Sequence, residues 1–334
     1  MNNENLYIKP NSTIVNLLKD VEFPITSIKD ITGYDTKSLL ILIDDGPAKG
    51  KYQTFGYFIA DWNYSANLVN ALKKIKQKYN ISERKISYKG RKDKLKRNAF
   101  QEWINIVRNY SGLLYVTAFD NSAKTTKEFR KDYEDVKNSL DKHGFQGGFE
   151  AYEKMAKVLS FLSVISSYFY SDLNIILFSD PDTIIDTKQK VNVINYSLRI
   201  MLKELVPFKL GHVNCMTKFN ERNGSFDERN ENKLLNHAIE ELLSIPDIAC
   251  SSISSMLNLT SKSDISCPDD ETSEIITEIA KFTNIEDYKK DDKSICTFGL
   301  SVFDIKYTED GLAYYVHRND KFIKTKPNNA SNAK

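Results

Sequence analysis

The stretch Ser38–Asp45, SLLILIDD, decides how the rest of this chain is read. Leu39, Leu40, Ile41, Leu42 and Ile43 follow one another with no polar residue between them. An unbroken aliphatic run of this length fits a strand buried on both faces, as in the middle of an α/β sheet. Asp44 and Asp45 then mark the point where the strand reaches the surface at its C-terminal end. The turn GPAKGK follows, and QTFGYFIA (53–60) reads as a second strand, antiparallel to the first. Leu68, Ala71, Leu72 and Ile75 recur at helical spacing over 67–79, as do Phe100, Trp103, Ile104 and Val107 over 96–110. GLLYVTAF (112–119) is a third buried-strand pattern.

Downstream of a charged linker (124–142) and the Gly147–Gly148 break, residues 149–170 form a long, largely apolar helical pattern. NIILFS (174–179) then predicts a strand, 187–205 a helix and KLGHVNC (209–215) a further strand. After a polar loop, two helices are predicted over 232–243 and 246–257, separated at Pro246. An antiparallel start followed by alternating helices and strands predicts an α/β fold with a sheet of mixed direction. Residues 1–37, with Pro10 and Pro24, read as an irregular or lightly structured arm, and the sheet domain spans 38–258. The segment 259–323 reads as an extension: a short helix (271–282), then a hairpin of CTFGLSVFDI and GLAYYVHR around Glu309, Asp310 and Gly311. The tail 324–334 is polar and predicted to be disordered.

The chain has 334 residues, and 47 Lys and Arg stand against 45 Asp and Glu. A formal net charge of +2 excludes a histone-like polycation, so contact with nucleic acid requires a local patch. Cys215, Cys250, Cys267 and Cys296 form no CxxC pair, which fits reduced thiols in a cytoplasmic protein better than a zinc site or a disulfide framework. The N-terminus lacks a basic region followed by an apolar stretch, so no signal peptide is expected. The weakly charged stretch 158–171 is too short and too rich in serine to span a bilayer. No GxGxxG, P-loop, GxSxG or HExxH motif is present. His143, His212, His237 and His317 share no metal-ligand spacing.

Three acids carry the chemical expectation. Asp44 closes the first strand, Asp180 closes the strand 174–179, and Asp247 opens the last helix of the core. Strand ends of an open α/β sheet are where ligand sites form. Acids converging there repel one another unless a cation lies between them, and Mg²⁺ or Mn²⁺ is the hard divalent ion that carboxylates bind. A pair of such ions about 3.5–4 Å apart activates water and stabilises the leaving oxygen in phosphodiester cleavage. Each acid also suits a blander role, as a turn residue, a helix N-cap or a charge favoured by the helix dipole.

Acids on the first strand, on a later strand and on a late helix, over β-β-β-α-β-α-β-α, resemble the ribonuclease-H-like fold. More specifically, the chain resembles an uncharacterised prokaryotic family labelled domain of unknown function 3800. That family opens with a strand ending in Asp-Glu-Ser-Gly, where this chain reads LLILIDDGPAKG. It closes with a helical Gln-Leu-Ala-Asp-hydrophobic motif, where this chain reads LLSIPDIACSSISSML with Asp247 on the motif's Asp. Asp45 stands in place of Glu, Ser244 in place of Gln and Pro246 in place of Ala. The match covers roughly 38–257. It implies a metal-dependent nuclease-like site on Asp44, Asp180 and Asp247, with a fourth carboxylate near the start of the first core helix. Glu150 and Glu153 occupy that region, and Glu153, one turn in, is the candidate.

The segment ERKISYKGRKDKLKR (83–97) places eight basic residues in fifteen. Such clusters hold phosphate backbones, although they also serve as solvated loops and helix faces. Lys89, Arg91, Lys92 and Lys94 are the candidate nucleic-acid contacts. The expectation is therefore a cytoplasmic, metal-dependent phosphodiesterase acting on DNA or RNA; by analogy, such families serve mobile elements or antiviral defence. The alternative is a catalytically inactive ribonuclease-H-like module in a multi-protein complex. In that case the C-terminal hairpin would supply the surface for a protein partner or a second copy.

Overall fold

Strand β1 (Ser38–Asp45) lies third in a seven-stranded sheet of order β5-β4-β1-β2-β3-β6-β7. The computed structural model describes residues 12–19, 28–32, 36–47, 50–81, 86–87, 93–122, 138, 149–166, 174–179, 188–205, 213–217, 230–260, 296–310 and 313–318. In chain order the elements are α1 (Ser12–Lys19), α2 (Ile28–Thr32), β1, β2 (Tyr52–Asp61), α3 (Ser65–Lys78), α4 (Lys94–Arg108), β3 (Gly112–Asp120) and α5 (Phe149–Ser166). They continue as β4 (Asn174–Ser179), α6 (Lys188–Leu205), β5 (Val213–Thr217), α7 (Asn230–Thr260), β6 (Cys296–Tyr307) and β7 (Ala313–Arg318).

Strands β1, β2 and β3 form an antiparallel meander, with Asp44 opposite Gly56 and Asp45 opposite Phe55. On the other side of β1, β4 and then β5 add in parallel, so the sheet is of mixed direction as the sequence pattern predicts. Both faces are covered by helices, which explains the uninterrupted aliphatic run of β1. Alternate residues of β1 serve opposite faces. Leu39, Ile41 and Ile43 pack with α1, α5 and α6, including Ile14, Leu18, Leu159, Phe161 and Val193. Tyr57 of β2 stacks on Phe161 there, with ring centroids 4.0 Å apart. Leu40 and Leu42 face α3, α4 and α7, among Leu72, Trp103, Leu243, Ile248 and Ile253.

Local signals fix the helix ends. Asp93 caps α4, its Oδ1 accepting from the backbone N–H groups of Leu95 (3.0 Å) and Lys96 (3.4 Å). Helix α3 stops where Asn80 takes a positive φ of 55°. The Ile81 N–H then reaches back to the Lys76 carbonyl and the Asn80 N–H to that of Gln77, which together close the helix end.

Three expectations differ from the structure. The N-terminal segment is not an irregular arm throughout: α1 and α2 bury Ile14, Leu18 and Ile31 completely, so 12–19 and 28–32 belong to the core. The hairpin β6–β7 is not set apart from the sheet, because β6 pairs in parallel with β3 from Gly112↔Cys296 to Phe119↔Phe303. The two helices expected around Pro246 are one helix, α7, with the proline inside it. A mid-helix proline forfeits one backbone hydrogen bond. Here Leu242, Leu243, Ile245, Ile248 and Ala249 are all buried on either side of it, and that burial holds the helix through the break. Of the strand predicted over 209–215, residues 213–215 lie in β5 (Val213–Thr217), and 209–212 lie outside the described residues. The helix predicted over 271–282 and the tail 324–334 lie outside the described residues.

Candidate functional site

Asp44 follows Leu40 and Leu42 at period two, which directs it to the α7 face of the sheet. Its cross-strand partner is Gly56. A Cβ on Gly56 would lie 2.5 Å from the Pro246 carbonyl oxygen, so only glycine lets the backbone of α7 come this close to β2. Asp247 is the next residue of that helix. The same contact continues one turn on, where the Thr54 hydroxyl donates to the Cys250 carbonyl at 2.9 Å. Strand β1, the glycine of β2 and the middle of α7 thus bring Asp44 and Asp247, 203 positions apart in the chain, to one end of one face.

Cys250 reports the electrostatics of that place. Its thiol is fully buried, and burial pushes its pKa well above the ordinary value; the negative charges of Asp44, Asp247 and Asp45 push it further in the same direction. All three carboxylates therefore lie within electrostatic reach of one sulfur atom. Asp44 is 8% exposed and its Oδ1 accepts from the Asp45 backbone N–H at 2.8 Å. Asp247 is half-buried and its Oδ1 accepts from the Ser251 hydroxyl at 3.3 Å. Each aspartate is thereby oriented by a donor from its own element.

The neighbouring acids have a different setting. Asp45 alternates to the other face, where it forms an ion pair with Lys154 of α5. Glu153 is completely buried on the same helix and pairs with Lys157 one turn later at 2.6 Å. Lys157 also donates to the Gln53 side-chain oxygen at 3.1 Å and lies 4.9 Å from the centre of the Phe119 ring. The structure thus places Glu153 in a lysine-matched network on the α5 face rather than with Asp44 and Asp247.

Asp180 lies outside the described residues; Ser179, which precedes it, ends β4 level with Ile43 of β1. Lys89, Arg91 and Lys92 also lie outside them. Lys94 is exposed at the start of α4, a helix packed on the same face as α7. Among the described residues, no group of three His, Cys, Asp or Glu side chains is arranged to hold a metal ion. The donors that Asp44 and Asp247 offer are carboxylate oxygens, which fit a hard ion such as Mg²⁺ or Mn²⁺. Cys250 keeps its proton and adds no thiolate that a soft metal would need.

Cys250, Lys154 and Gly56 are the contributors that the sequence pattern leaves unmarked. Two signals were present in it: Cys250 follows Asp247 by three positions, one helical turn, and Gly56 interrupts a strand of large side chains. No helix among the described residues is long and apolar enough to cross a membrane. No model of a known protein family matches the chain, and no curated protein is significantly similar to it.

Proposed function

We propose that this chain is a divalent-metal-dependent phosphodiesterase of the ribonuclease-H-like class, acting on nucleic acid. The architecture supports the class through its antiparallel meander, the two further strands parallel to β1, each preceded by a helix, and the late helix packed against β1 and β2. Helices α3 and α4 are inserted between β2 and β3, and β6–β7 extend the sheet beyond β3. The observation that carries the reading is the close approach of the α7 backbone to β2 at Gly56: Gly56 lies opposite Asp44, and the α7 residue it meets, Pro246, directly precedes Asp247.

When bound, Mg²⁺ or Mn²⁺ would polarise the phosphoryl group and lower the pKa of an attacking water. Asp44 and Asp247 would hold the ion, and the donors from Asp45 and Ser251 keep their carboxylates oriented. Asp180 is proposed as the third acid, following β4. Lys89, Arg91, Lys92 and Lys94 are proposed to grip the phosphate backbone, which would make binding weaken steeply with salt. Glu153, already matched by Lys157, serves the packing of α5 rather than the reaction.

Cleavage of single- and double-stranded DNA and RNA by purified protein with Mn²⁺ tests the proposal. Activity is expected on at least one substrate, with loss on chelation and on Asp44→Asn. Cleavage that survives Asp44→Asn would contradict it. A second reading, an inactive binding module, is favoured by the lysines that already match Asp45 and Glu153. Salt-sensitive binding of nucleic acid without cleavage under any of these conditions would select it.

A further inference from the structure

The segment between β2 and β3 carries a charge that the rest of the chain does not. From 62 to 111, thirteen Lys and Arg stand against three acids, a net charge of +10 in a chain whose total is +2. Helices α3 and α4 lie in this segment and pack on the sheet face that α7 also covers. Their apolar sides, with Leu72 on α3 and Trp103 on α4, are buried. Their outer sides carry polar stripes, with residues about one turn apart: Asn70, Lys74 and Lys78 on α3, and Lys94, Asn98 and Gln101 on α4, all exposed. Among the described residues of 62–111, every exposed one is Lys, Asn, Gln, Tyr, Ala or Leu. The two acids described there are engaged. Asp93 caps α4, and Glu102 accepts from Lys78 at 2.7 Å, which also ties the two helices together.

A surface of this makeup is complementary to a polyanion. Lysines neutralise phosphates, and the side-chain amides of Asn and Gln donate to phosphate and sugar oxygens without adding charge. Tyr64 and Leu95 are the large apolar side chains exposed among the described residues of this segment, too few for a face that inserts into lipid. The 14 residues of α3 span about 21 Å, enough for several successive phosphates of a strand spaced about 3.4 Å along the axis of a duplex. We infer that the outer face of α3 and α4 is a docking surface for the phosphate backbone of nucleic acid. It runs from Lys94 along α4 and across to Lys74 and Lys78 on α3. This surface rests on the nucleic-acid reading above for the class of its partner, and it extends the contact from the 83–97 segment to two whole helices.

Fluorescence anisotropy with the full chain tests this, using short labelled single-stranded DNA, single-stranded RNA and duplex DNA, with a chelator present so that binding is read without cleavage. Lys74→Glu/Asn98→Glu places one acid on each helix at an exposed position, so the fold should persist. It should weaken binding of whichever probe wild type takes by at least about tenfold. Lys74→Ala should weaken it less and lower the slope of log affinity against log salt by about one. Asn16→Glu/Lys19→Glu makes the same change of charge at exposed positions of α1, on the other side of the sheet. At about 0.15 M salt, where charges are screened beyond about 8 Å, it should stay within about twofold of wild type. Unchanged binding by Lys74→Glu/Asn98→Glu, or equal losses in the α1 and α3–α4 double variants, would overturn the docking surface and leave the nucleic-acid reading standing. Wild type that binds none of the probes would overturn that reading, and this surface with it.

Discussion

Asp44 and Asp45 are neighbours in the chain, yet β1 sends them to opposite faces with opposite consequences. On the α5 face, acids meet lysines: Asp45 with Lys154, and Glu153 with Lys157, which also donates to Gln53. On the α7 face, Asp44 and Asp247 meet hydroxyl and backbone donors and share the neighbourhood of a buried thiol. A buried acid paired with a lysine has its desolvation cost offset by that partner and needs nothing further. Two acids that approach one another raise their joint energy, and a cation from outside would relieve it. The contrast sets the acids held by lysines apart from the two acids proposed above to hold a metal ion.

The strongest way to break this contrast is to remove one partner of the α5 network. Glu153→Ala or Lys157→Met should each lower stability by about 3–5 kcal/mol, because the remaining charge is left buried. The double variant Glu153→Leu/Lys157→Met should recover most of that loss. Asp247→Asn, by contrast, should change stability by about 1 kcal/mol or less. Urea unfolding of the four proteins measures all of these, and equal losses on the two faces would erase the distinction. Next in size, Gly56→Val places side-chain atoms against the Pro246 carbonyl and should cost about 1–3 kcal/mol as α7 is forced off β2. It should also weaken Mn²⁺ binding by separating Asp247 from Asp44.

A third prediction sharpens the comparison through pH. Cys250 is raised by burial and by the three aspartates, whereas Cys296, equally buried, is pushed up to about 12 by burial, against a backbone hydrogen bond that lowers it, with no contribution from a carboxylate. In the unfolded chain both thiols lose their protons near pH 8.5, while in the folded protein they keep them. The folded state then binds more protons, so stability falls as pH rises above about 8.5, by about 1.4 kcal/mol per pH unit for each thiol. Cys250→Ala and Cys296→Ala should each remove one thiol's share of that slope in unfolding midpoints between pH 8 and 10. The smallest expected effect belongs to Thr54→Val, which deletes the hydroxyl bonded to the Cys250 carbonyl and should cost about 1 kcal/mol.

Much of the sheet was legible because its signal is local. The aliphatic run of β1, the strand after it and the helix at 149 each follow from the spacing of apolar residues, and the structure shows them. Prolines misled in two places. Pro10 and Pro24 made the N-terminal segment look irregular, although Ile14 and Leu18 lie one turn apart on a buried face. Pro246 looked like a helix boundary, although burial on both sides carries α7 through it. What no local pattern could supply was pairing at long range. The union of β6 with β3, and of Asp45 with a lysine 109 positions away, depends on which faces the fold brings together. At the site, strand end and helix position singled out Asp44 and Asp247, but the division of acids between two faces emerged only once β1 had neighbours on both sides.

The most direct test of the central claim is a Mn²⁺ titration by calorimetry of wild type against Asp247→Ala. If Asp44 and Asp247 hold one ion between them, wild type binds Mn²⁺, and the variant loses more than the about 10–100-fold that partners outside the ligand set control. Equal binding by both proteins, or none by wild type, would contradict it.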